Sequence, residues 1–144
     1  MKVLGYLDTN ALVKLYVDEV GRDRVEKLID EVEGALTTSV ITYAESRGVF
    51  ARYLREGKIT APEHNTIVEN FNADWEGMNA IDVTPSVYRR AGDLLVAHPH
   101  LRAMDAIHMA SVLDARTKIG IKFLTFDDAL EAVATALLTK KELG

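Results

Sequence analysis

Of four acidic residues, Asp8 and Asp127 stand where the chain passes from strand to helix, Asp105 opens a helix, and Glu45 lies about two turns into one. Aspartate and glutamate at several such points can converge on one spot, and converging carboxylates are what a divalent cation needs. Mg²⁺ takes only a few protein oxygens and leaves its other positions to water and phosphate. An ion held this way can acidify a water for in-line attack on phosphorus, and a second can steady the leaving oxygen. Four acids nearly balance two such ions, so the pattern points to phosphodiester hydrolysis. Each residue also has a plainer reading. Asp8 and Asp127 suit helix N-caps, Asp105 suits a first helical turn, and a glutamate on a helix surface is ordinary. The case for chemistry rests on the four together.

The elements that must position them are read from periodicity and punctuation. Val3 to Leu7 is an apolar strand ending at Asp8, with a short helix from Ala11 to Val17 behind it. A second helix covers Asp23 to Val32 and stops at Gly34. Ala35 to Thr38 is a brief strand, and Ser39 caps a helix running to Arg55 with Val40, Tyr43, Ala44 and Phe50 as its apolar face. Thr60, Pro62 and Glu63 carry the signature of a capping box, opening a helix that reaches Trp75. Ala80 to Val83 reads as a strand, Thr84 and Pro85 open a helix to Ala97, and Met104 to Lys118 is a further helix. Ile121 to Phe126 is the clearest strand, followed by a helix from Asp127 to Leu137. Strands separated by helices predict an α/β fold, a short central parallel sheet with helices on both sides. In such sheets ligands bind beyond the carboxyl ends of the strands. Asp8, Glu45 and Asp127 are expected near that edge.

Composition narrows the rest. The 144 residues are 48% hydrophobic and 27% charged, which fits one folded domain over residues 1–144 and not a disordered chain. There is no cysteine, so disulfides, thiolate ligands and cysteine nucleophiles are excluded and oxygen donors favour Mg²⁺ or Mn²⁺. The first residues are too short an apolar run for a signal peptide or a membrane span, which predicts a cytoplasmic protein without membrane attachment. A net charge of −5 counts against nucleic acid on its own, yet a site built from carboxylates must carry acids whose field a bound cation reverses.

Four segments, in order, resemble PIN-domain proteins, particularly the toxins of VapBC-type toxin–antitoxin pairs. They are Tyr6 to Tyr16 around Asp8, Ser39 to Glu45, Leu101 to His108 around Asp105, and Phe123 to Asp127. The resemblance runs almost the length of the chain. It implies a three-layer α/β/α PIN-like domain, Mg²⁺- or Mn²⁺-dependent cleavage of RNA, a homodimer, and inhibition by a small antitoxin protein. Carried over residue by residue, Asp8, Glu45, Asp105 and Asp127 take the metal-site positions. Thr9 and Thr125 become hydroxyls that orient those carboxylates, and Asp128 is an adjacent acid able to replace Asp127.

Other residues have weaker claims. His108 can share a helix face with Asp105, but metal-assisted hydrolysis needs no histidine base, and a half-buried packing histidine is the expectation. Arg47 and Arg102 lie nearest in sequence to site acids and are the first candidates for gripping an RNA backbone. Phe71 and Trp75 keep a helical spacing that suits core or dimer packing, and their four-residue offset suggests a surface for a partner helix. Two rivals differ in class. An aspartyl phosphotransferase using Asp8 would want a second acid where Asn10 stands and a cation near the site, whereas Lys122 begins the last strand at the opposite end. A non-catalytic RNA-binding module would not need the full set of acids.

Overall fold

A computed structural model describes residues 3–116 and 120–144. Four strands, β1 (Val3–Leu7), β2 (Thr37–Ser39), β3 (Asn79–Ile81) and β4 (Gly120–Leu124), form one sheet in the order β3-β2-β1-β4. All pairs are parallel, with Tyr6 opposite Thr37, Thr38 opposite Ala80, and Leu7 opposite Leu124. Among the described residues the helices are α1 (Thr9–Leu12), which tightens into a 3₁₀ turn over Val13–Leu15, α2 (Arg22–Glu31), α3 (Ile41–Arg55), α4 (Ala61–Trp75), α5 (Pro85–Ala97), α6 (Ala103–Arg116) and α7 (Asp128–Leu137).

Alternation along the strands divides the core in two. Tyr6 and Phe123 point to one face and pack with Val87 and Leu94 of α5, Met109 of α6 and Leu130 of α7. Their neighbours Leu7 and Leu124 point to the other, against Leu12, Val25, Leu28, Phe50 and Phe71 from α1, α2, α3 and α4. The sheet therefore lies between two helical layers, as expected.

Several boundaries differ from the sequence reading. The second strand begins two residues later, at Thr37, and ends one residue later, because Ser39 belongs to it and pairs with Ile81. The Ser39 hydroxyl still accepts from the Ile41 N–H at 3.3 Å, although Val40 is the capping residue. β2 is a polar strand inside the protein, made tolerable because its hydroxyls are bonded. Thr38 donates to the Leu7 carbonyl at 2.7 Å and shares a hydrogen bond with Thr42. The buried face of α3 is Thr42, Ser46 and Phe50, while Val40 and Ala44 are exposed, so the apolar face assigned to it was turned. The first helix starts earlier, at Thr9, and the last strand stops two residues short of Phe126. The end assigned to α6 at Lys118 lies outside the described residues.

Other signals held closely. Thr60 and Glu63 form both halves of the capping box on α4, and Thr84 caps α5. Gly21, ahead of α2, has φ +105°, and a Cβ there would stand 2.6 Å from the Phe126 ring. Only glycine suits both the backbone conformation and the close approach of that ring.

Phe71 and Trp75 are not a partner surface. Phe71 is 0% exposed, and its ring meets Tyr16, Tyr43, Phe50 and Trp75 at centroid distances of 5.3 to 5.8 Å. The four-residue spacing belongs to the internal face of α4.

Candidate active site

At the carboxyl end of β1 the chain turns straight into α1, and Asp8 sits at the turn. Its Oδ1 accepts from the Ala11 N–H at 3.1 Å, the N-cap bond that a strand-to-helix aspartate predicts. Capping does not account for the rest of its setting. Asp8 is only 2% exposed, and its other oxygen accepts a hydrogen bond from the Thr125 hydroxyl at the end of β4. Burial pushes its pKa up from 3.8 to about 6, against the opposing pull of His108, Thr125 and the Ala11 N–H; the charge of Asp105 adds to the rise.

Asp105 is in the first turn of α6, half-buried. Burial raises its pKa first, with the charges of Asp127 and Glu45 adding to the rise, while His108 and Arg102 pull it down. Asp127 caps α7 by accepting from the Leu130 N–H at 2.8 Å, and its own N–H donates to Thr125 Oγ1 at 3.1 Å. Thr125 thus links two of the acids.

Glu45, on α3, is also drawn inward. Burial raises its pKa, but hydrogen bonds from His108 and Thr9 outweigh that and leave it lowered. Thr9 Oγ1 donates to Glu45 Oε1 at 2.6 Å and His108 Nε2 lies 3.0 Å from the same oxygen. Asp8, Glu45, Asp105 and Asp127 are therefore neighbours, on four elements far apart in the chain. Among the described residues none forms an ion pair with a lysine or arginine. Nor do three of these side chains already converge as a preformed ion cage among those residues.

Not every candidate joins them. Asp128, exposed at the start of α7, lines a shallow groove with His98, Pro99 and His100. Arg47 turns to the opposite side of α3, donating to the Tyr43 hydroxyl at 3.0 Å. Arg102 is exposed, near enough to Asp105 to lower its pKa.

Two residues were underrated by sequence. His108 is 2% exposed, not half-buried, and lies at the centre of the site. Its three-residue offset from Asp105 was the available signal. Asn10 accepts from the Phe126 N–H at 2.9 Å, bracing the segment that carries Thr125 and Asp127 against α1. Asn10→Ala is expected to cost about 1 kcal/mol, the net worth of such a bond. Urea unfolding checks this, and wild-type stability in the variant would refute the bracing role.

A parallel α/β sheet with acids gathered at the carboxyl ends of its strands defines a class of protein suited to phosphate-ester chemistry. Residues 5–136 match the PIN domain family, and the chain belongs to that family, in its VapC-like branch. It is 34% identical over 110 residues to Ribonuclease VapC49 of Mycobacterium tuberculosis, covering 76% of this chain and 75% of that one. It is 31% identical over 134 residues to Ribonuclease VapC35 of the same species, covering 92% and 90%. A toxin–antitoxin complex from Klebsiella pneumoniae shares the fold, with a TM-score of 0.62, 20% identity, and coverage of 85% and 86%. Among the described residues no helix is long and apolar enough to cross a membrane.

Proposed function

We propose that this chain is a Mg²⁺- or Mn²⁺-dependent endoribonuclease, the toxin of a toxin–antitoxin pair, with Asp8, Glu45, Asp105 and Asp127 holding the ion. The observation that carries this reading is the buried Asp8 carboxylate, its pKa raised beside Asp105, with no lysine or arginine paired to any of the four acids among the described residues. Such a group of hard oxygen donors fits a hard divalent cation, which would offset the repulsion and draw the carboxylates together.

When bound, the ion supplies the charge that acidifies a water and receives the negative charge growing on the phosphate. The chain's own residues do the rest. Thr125 and Thr9 hold Asp8 and Glu45 through one oxygen each. Asp127 and Asp8 keep their places because each is also a helix cap, so the site inherits the rigidity of α1 and α7. Arg102, exposed beside Asp105, is the cation this reading assigns to an RNA phosphate. RNA as substrate is supported by the names of the VapC relatives, and a small antitoxin as partner by the Klebsiella complex. A homodimer is the assembly that the family resemblance implies.

The test is cleavage by the purified, antitoxin-free protein of total RNA and a panel of transfer RNAs. Cutting is expected in Mn²⁺ or Mg²⁺ and none in EDTA, with restoration when metal is returned. Cleavage that persists in EDTA would remove the metal from the mechanism. RNA binding without turnover in either metal would replace the nuclease with a binding module.

A further inference from the structure

His108 reaches further than a packing residue needs to. A carboxylate only accepts hydrogen bonds, so Nε2 carries the proton and donates to Glu45 Oε1 at 3.0 Å. Nδ1, on the other side of the ring, pairs with the Tyr6 hydroxyl at 2.8 Å. Thr9 Oγ1 donates to the same Oε1 at 2.6 Å. That oxygen therefore has two donors, and among the described residues none reaches Oε2.

The partners are distributed in a telling way. Tyr6 is on β1, two residues before Asp8; His108 is on α6, three after Asp105; Glu45 is itself an acid of the site. Tyr6 also packs edge-on against Phe123 of β4, at 5.6 Å, on the strand that leads to Thr125 and Asp127. A core histidine needing only satisfaction could bond within its own helix, as Ser111 does to the Ile107 carbonyl. This one ties together β1, α3 and α6, the elements that carry Asp8, Glu45 and Asp105.

We propose that Tyr6 and His108 are positioning residues: they hold Glu45 by Oε1 alone, so that Oε2 is the oxygen left for the ion. The inference rests on the metal-nuclease reading above. Partners that orient a metal-binding group in this way change ion affinity by about 10–100-fold when removed.

The experiment measures Mn²⁺ affinity by calorimetry without RNA, and kcat and KM for RNA, in wild type, Tyr6→Phe, His108→Leu and His108→Gln, with Asp8→Asn as control. His108→Leu is expected to weaken Mn²⁺ binding about 10–100-fold and to lower kcat with little change in KM. His108→Gln, whose amide still offers an N–H to Glu45, should recover most of the affinity. Tyr6→Phe, which removes one oxygen, should fall between. A folded His108→Leu protein that binds Mn²⁺ as wild type overturns the proposal. Should that variant fail to fold, Tyr6→Phe decides: weakening of about threefold or more supports positioning, and unchanged affinity overturns it. Wild type that binds no Mn²⁺ brings down both this inference and the metal reading. Wild type that binds, with loss in Asp8→Asn but not in His108→Leu, brings down the positioning role alone.

Discussion

Asp8→Asn is expected to abolish the proposed RNA cleavage and, in the metal-free protein, to make the fold more stable at neutral pH. The loss of activity should exceed about hundredfold, because removing a group that merely orients a ligand already costs up to that much. The gain in stability follows from the sign of the pKa shift. Asp8 titrates near 3.8 in the unfolded chain and about 6 in the folded one, so between those values the folded form binds more protons. Stability therefore falls as pH rises through that window and the loss is complete above it. The ionised form is disfavoured by about 3 kcal/mol, at 1.36 kcal/mol for each pH unit. Asparagine keeps the cap on α1, and its amide can donate to Thr125 once that hydroxyl turns round. A gain of about 1–3 kcal/mol at pH 7 is expected from removing the buried charge, seen as a higher urea midpoint and a flatter pH profile between 4 and 6. Mn²⁺ should raise the melting temperature of wild type and leave the variant's unchanged. A variant less stable than wild type at pH 7, with the same pH slope, would show that Asp8 carries no electrostatic cost.

Phe71→Ala should be the most destabilising single truncation on the α4 side of the sheet. The ring is fully buried and joins four others, from Tyr16, Tyr43, Phe50 and Trp75, so its removal leaves a cavity that rigid neighbours cannot close. Phe-to-Ala losses of this kind run to about 3–5 kcal/mol, a large part of the 5–15 kcal/mol typical of a domain. The midpoint in urea should drop with the slope unchanged, because the same surface is still exposed on unfolding. A loss below about 1 kcal/mol would mean that α4 is free to collapse onto the void.

The outline of this protein was legible in its sequence where local chemistry leaves little choice. The apolar run Val3 to Leu7 has the bounds of β1, the Thr60–Glu63 box starts α4, and Thr84 with Pro85 starts α5. Caps and proline act through bonds within a few residues, so the chain states them directly. The order of strand and helix likewise implies a parallel sheet, and with it the edge at which acids would gather. β2 was harder to place, because Thr37, Thr38 and Ser39 are polar and become core only through partners on β1 and α3. The face of α3 was misjudged for the same reason: Thr42 and Ser46 are buried by what lies against them, not by their own hydrophobicity.

The site divides along the same line. Asp8, Asp105 and Asp127 could be named from their places at strand and helix ends, and the family resemblance added Glu45 and ordered the four. Their environment could not, since a pKa depends on burial and on charges that arrive from distant segments. Asp8 and Thr125 stand 117 residues apart, Tyr6 and His108 stand 102 apart, and Glu45 and His108 stand 63 apart. Sequence determined which groups were available for the chemistry. Only the folding of β1 between β2 and β4 decided that Asp8 is desolvated, that Asp105 lies within its field, and that a histidine read as packing holds Glu45 by one oxygen.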